Sequence, residues 1–177
     1  GSARDLPFGK GRSPMNWSII EGRKFFYTNL FKYEPGVDDG PIVDKAIFSI
    51  NSSDTAETMH YKNVVSMCGI IDKNLKNLID GEAKYMPQKK DEGESFYPKR
   101  TPEDGIIDWR DSIENIDRFI RAVAPPFHGA TAFIINKKIT INRAAIFFTD
   151  LEDHPFKKSK SGEILDVFPN KKFLVRC

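Results

Sequence analysis

Two largely apolar stretches near the start of the chain are rich in aromatic and β-branched residues: "KFFYTNLF" at 24–31 and "IVDKAIFSI" at 42–50. This pattern predicts two strands, joined by the turn "EPGVDDG" at 34–40. Before them, "DLPFGKGRSP" at 5–14 carries Gly and Pro and reads as loop. A short helix is expected over 14–21, with Pro14 at its first position. After the strands, Asp54 and Glu57 resemble a capping box. Val64, Cys68, Ile71, Leu75 and Leu78 then recur at helical spacing, predicting one apolar face that runs to a stop at Gly81.

From residue 81 to 108 the periodicity disappears. This polar stretch with Pro and Gly reads as a long connection. Asp111 and Glu114 are expected to cap a second helix whose apolar face is Ile113, Ile116, Ile120 and Val123. The remainder alternates as strands do, with hairpin turns expected at 136–138 and at 169–170. The organisation is therefore an α/β piece over 1–80, a linker with a helix over 81–124, and a small β module over 125–177. The first piece has few strands and looks like half of a doubly wound sheet.

Composition narrows the function classes. A chain of 177 residues, 40% hydrophobic, is long enough for one good core. No run approaches the ~18 apolar residues that a membrane helix needs. The N-terminus lacks the apolar core of a signal peptide, and Gly1-Ser2 reads as a cloning scar, so a natural chain would start upstream. Net charge is +2, too small to indicate a nucleic-acid binder, although from Pro125 onward nine Lys/Arg face five Asp/Glu. Cys68 and Cys177 read as free thiols of a reducing compartment. His60, His128 and His154 are too scattered for a zinc site, so no metal is expected. Trp17 and Trp109 are expected in the core, His128 in a structural turn, and "KKSK" at 157–160 in a solvated loop.

Four segments, in order and at fitting distances, resemble one family. "LPFGKGRSPMNWSIIEG", "VDDGPIV", "FYPKRTPEDGIIDW" and "FIRAVAPPFHGA" are similar to segments of the folate-dependent formyltransferases. The third resembles the branch that formylates nucleotide-linked amino sugars; methionyl-tRNA formyltransferase is the alternative. The resemblance implies an α/β fold: a partial Rossmann-like formyltransferase domain, its C-terminal part over 1–80, then a small OB-like β domain that ends early.

The implied reaction moves a formyl group from 10-formyltetrahydrofolate to an amine. An amine attacks the formyl carbon, and positioned donors stabilise the oxyanion that forms. A proton is shuttled by His and Asp in contact. The family's Asp in D-x-G corresponds to Asp38, the expected catalytic residue. Its His would fall at Ser2, its Ser at Arg4, and its Asn before residue 1. The chain as given is accordingly expected to be inactive alone.

The same resemblance implies that Gly11, Arg12, Val37, Asp38 and Asp39 bind the folate. It implies that Tyr97, Lys99, Arg100 and Thr101 contact the nucleotide-linked sugar, by stacking and by charge. It further implies a cytoplasmic protein of polysaccharide biosynthesis and a homodimer. A non-catalytic association module is a separate alternative, because unpaired strand edges favour self-association.

Overall fold

A computed structural model describes residues 1–89, 92–148 and 158–177. His154 and Lys157 lie outside the described residues. Helix α1 spans Pro14–Ile20 and begins with its proline in the first turn. Strands β2 (Phe25–Phe31) and β3 (Ile42–Ser49) pair antiparallel. Single-residue bridges extend this hairpin on both edges, Ser2 to Tyr27 and Met86 to Ile42. Helix α2 spans Ala56–Ile79. Two-residue strands β1 (Lys10–Gly11) and β4 (Phe96–Tyr97) pair in parallel. A 3-10 turn at Pro102–Gly105 and helix α3 (Ile113–Val123) follow. Strands β5 (Ala130–Ile134) and β6 (Lys137–Ile141) form one hairpin; β7 (Ile164–Phe168) and β8 (Lys172–Val175) form another. Among the described residues the strands make four two-stranded sheets.

Helix α3 joins two cores. Its Ile116, Ile120 and Val123 pack with Ile107, Ala130 and Ala132, against which Trp109, Ile139 and Cys177 lie. Its Ala122 enters a second cluster with Ile19, Phe26 and Met59. The Asn16 amide donates to the Ala122 carbonyl at 2.6 Å, and the Arg121 guanidinium donates to the Asp54 carbonyl at 2.6 Å. Polar bonds therefore fix the helix to α1 and to the start of α2. The amphipathic period expected for α3 is the one it uses.

Helix α2 departs from its expected pattern. It buries Ala56, Met59, Asn63 and Ile70. The face through Val64, Cys68, Ile71 and Leu75 is exposed, with Leu78 half-buried. The helix carries two apolar stripes, and the β2–β3 hairpin meets only one, where the Thr28 hydroxyl donates to Asn63 at 2.8 Å.

The caps and turns also shift. Thr55 and Thr58 form the α2 capping box, while Asp54 accepts from Thr58 Oγ1 at 2.9 Å behind it. Glu57 instead accepts from the Tyr61 hydroxyl. Ser112 caps α3. The hairpin turns centre on Ile135-Asn136 and Asn170-Lys171, four residues with positive φ, because tight hairpins need that mirror-image turn. Both cysteines are free, Cys68 exposed and Cys177 half-buried. No described helix is long and apolar enough to cross a membrane.

Candidate functional site

The site grows from the loop before α1. Strand β1 lies along β4: Lys10 N–H donates to the Ser95 carbonyl at 2.9 Å and Arg12 N–H to the Tyr97 carbonyl at 3.2 Å. The Gly9 amide donates to Ser95 Oγ at 2.9 Å. Glycine is required at position 11, where φ is +99° and a Cβ would lie 2.6 Å from the Tyr97 carbonyl oxygen. Across from β1 sits the β2–β3 turn. Gly40 approaches the Lys32 carbonyl so closely that a Cβ would lie 1.6 Å from its oxygen. Asp38 adopts φ +53°, a conformation Asp tolerates better than most residues. The Gln88 amide spans the turn, donating to the carbonyls of Asp38 at 2.7 Å and Gly40 at 2.8 Å.

Two carboxylates of this turn meet β1. Asp38 accepts the Gly11 amide hydrogen at 3.2 Å. Asp39 pairs with the Lys10 ammonium, which also binds Glu94 at 2.9 Å. Lys10 is 0% exposed. Burial pushes its ammonium down, but the two carboxylates outweigh this and raise it above the usual lysine range. Ser2 is buried, and its hydroxyl donates to the carbonyls of Phe8 and Gly9.

The fold therefore gathers Gly11, Asp38, Asp39 and Tyr97 around the β1–β4 junction. Arg12 and Val37 lie exposed at its border. Tyr97 stacks on Trp17, with centroids 5.5 Å apart. Its hydroxyl donates to Glu21 at 2.7 Å, and burial followed by that bond raises its pKa. The next residues lead away from Asp38. Lys99 is exposed. The Arg100 guanidinium lies over Trp17 at 5.1 Å and over Phe119 at 5.5 Å, where burial lowers its pKa. Thr101 binds Asp104 through its amide at 2.6 Å and its hydroxyl at 3.2 Å. Trp17 is half-buried, and His128 is exposed in the turn after α3. Among the described residues no His/Cys/Asp/Glu group is arranged to hold a metal ion.

Lys10, Gln88, Glu94 and Ser95 escaped the sequence reading. A lysine between two glycines was visible as a basic loop residue. Its partners stand 29 and 84 positions away, beyond any local pattern.

Comparison with known proteins bears on this arrangement. Residues 99–177 match the formyl transferase C-terminal domain. Bifunctional polymyxin resistance protein ArnA of Wigglesworthia glossinidia brevipalpis is 32% identical over 172 residues, which is 92% of this chain and 26% of ArnA. The chain thus spans about a quarter of the length of that relative. The N-formyltransferase from Helicobacter canadensis, solved with folinic acid and dTDP-3-aminofucose, superposes with a TM-score of 0.64 at 22% identity, over 78% of this chain and 51% of its own. Methionyl-tRNA formyltransferase from Clostridium thermocellum superposes with a TM-score of 0.66 at 25% identity, over 82% of this chain and 62% of its own. Residues 99–177 thus belong to the formyl transferase C-terminal domain family, and the chain as a whole shares its fold with formyltransferases.

Proposed function

We propose that this chain is part of an enzyme that transfers a formyl group from 10-formyltetrahydrofolate to the amine of a nucleotide-linked amino sugar. The supporting observation is the half-buried Asp38 carboxylate, aimed by the Gly11 amide and flanked by exposed Val37 and Arg12. An acceptor carboxylate, an apolar side chain and a cation suit a flat heterocycle with N–H donors and an anionic tail, which is the make-up of a folate. The folate supplies the formyl group. Asp38 is assigned to orient and share the proton that leaves the amine. Asp39 is committed to Lys10 and supports the turn. Tyr97, Lys99, Arg100 and Thr101 are assigned to the acceptor side, with Tyr97 as the residue nearest the junction.

The sugar acceptor is favoured by the "FYPKRTPEDGIIDW" segment and by the small basic excess after Pro125, which is weak for tRNA. A cytoplasmic role in polysaccharide synthesis and the OB-like character of 125–177 belong to the same proposal. Ser2 stands where the family's histidine falls, and its hydroxyl is already engaged with backbone carbonyls. The 177 residues alone are therefore expected to turn over none of a panel of dTDP- and UDP-amino sugars with 10-formyltetrahydrofolate. A longer chain that carries the Asn-x-His element, with histidine in place of Ser2, is expected to be active, and Asp38→Asn in it inactive. Turnover by the 177 residues would refute the assignment. Turnover of methionyl-tRNA alone would transfer the proposal to the tRNA branch.

A second reading, an association module, rests on one observation. Bordering the exposed α2 face of Val64, Cys68, Ile71 and Leu75, Val65 is 73% and Ile79 74% exposed. Sedimentation of the chain at rising concentration tests it; a monomer throughout would exclude it.

A further inference from the structure

Lys10 carries more charge chemistry than its loop needs for stability. A buried ion pair can usually be replaced by apolar residues of similar volume without loss of stability. Here the ammonium is fully buried and binds two carboxylates, Asp39 and Glu94, from separate segments. Its Nζ also lies 5.6 Å from the Phe96 ring centroid. The next residue, Gly11, offers its amide to Asp38. Adjacent residues 10 and 11 therefore hold adjacent carboxylates 39 and 38, one by charge and one by main chain. Two such attachments fix the rotation of the turn as well as its distance. The Gln88 amide binds only the turn's carbonyls and leaves the carboxylates unaimed.

Resting on the formyl-transfer reading above, we propose that Lys10 is the positioning residue of this site: its clamp on Asp39 and Glu94 sets the direction of the Asp38 carboxylate. The test compares wild type, Lys10→Met and Lys10→Arg by three readouts. These are thermal unfolding, hydrogen exchange at the Gly11 amide, and the affinity for folinic acid by calorimetry. Lys10→Met keeps an unbranched apolar stem one atom shorter and removes the charge. It is expected to speed Gly11 exchange, and to weaken folinic acid binding, by about tenfold or more, the effect of one lost charge-assisted hydrogen bond. Lys10→Arg is expected to restore both. Unchanged Gly11 exchange and affinity in Lys10→Met, whatever its melting temperature, would overturn the proposal. If Lys10→Met does not fold, Asp39→Asn, at a partly exposed partner, provides the same comparison. If wild type binds no folinic acid, the formyl-transfer reading fails, and Gly11 exchange alone then decides the role of Lys10.

Discussion

Replacing Gly11 with alanine tests the junction on which the site depends. The backbone there has φ +99° and the new methyl would begin 2.6 Å from the Tyr97 carbonyl oxygen. A side chain in that conformation costs about 1–3 kcal/mol. The carbonyl belongs to main chain, so β4 must move rather than a side chain rotate. That movement strains the bonds from the Lys10 and Arg12 amides to β4, each worth ~1 kcal/mol net. Partial relaxation leaves an expected loss of about 2–4 kcal/mol. For a chain of this size the melting temperature should fall by about 4–16 °C. Thermal unfolding followed by far-ultraviolet circular dichroism measures it. The near-ultraviolet signal of the Trp17–Tyr97 stack should weaken in the folded variant, because Tyr97 moves with β4. A Gly11→Ala protein within ~0.5 kcal/mol of wild type, with that signal intact, would refute the close approach of β1 and β4.

Other expectations follow from the same geometry. Asp54 is 3% exposed; burial pushes its carboxyl up, but the Asn51 amide, Lys62 and Thr58 outweigh it and hold the pKa below 3.8. Its stabilisation is present at neutral pH and is lost as pH falls below that value. Asp54→Asn should therefore cost about 2 kcal/mol at pH 7, and urea titrations should find the gap narrowing on acidification through pH 3.8; a constant gap contradicts the assignment. Arg100→Ala should cost about 1–2 kcal/mol through lost packing between two rings, and Arg100→Lys should not fully rescue it; full rescue in urea unfolding would mean that charge alone matters. In the association reading, Val65→Glu with Ile79→Glu should abolish self-association in sedimentation while leaving the melting temperature within a few degrees. Retained association would place the contact elsewhere.

Much of the fold was legible because it rests on side-chain type and spacing. The aromatic and β-branched runs at 24–31 and 42–50 identified β2 and β3, Pro14 marked the start of α1, and the spacing of Ile116, Ile120 and Val123 gave the buried face of α3. Helix α2 misled because a helix with two apolar stripes has no single face until its partners are known. Caps slipped by a residue because Thr55 and Ser112 carry hydroxyls that reach the free amides of the first turn, an attachment open to several neighbouring polar residues. The hairpin turns slipped because backbone twist selects positive φ at Ile135 and Lys171 over residue preference.

The site divides along the same line. Asp38, Gly11 and Tyr97 were expected together through family pattern, and the fold brings them together, but nothing local joins them. What joins them is main chain: two residues of β1 against two of β4, an amide on a carboxylate, and glycines admitting a close approach. Main-chain pairing leaves no side-chain period, and its only trace is glycine where a Cβ cannot fit. Lys10 is the exception that explains the rest. Its side chain does the joining, yet it occupies a loop that composition marks as flexible. A buried lysine in such a loop becomes intelligible only when the acids from positions 39 and 94 arrive together, and their arrival is what turns three separate segments into one site.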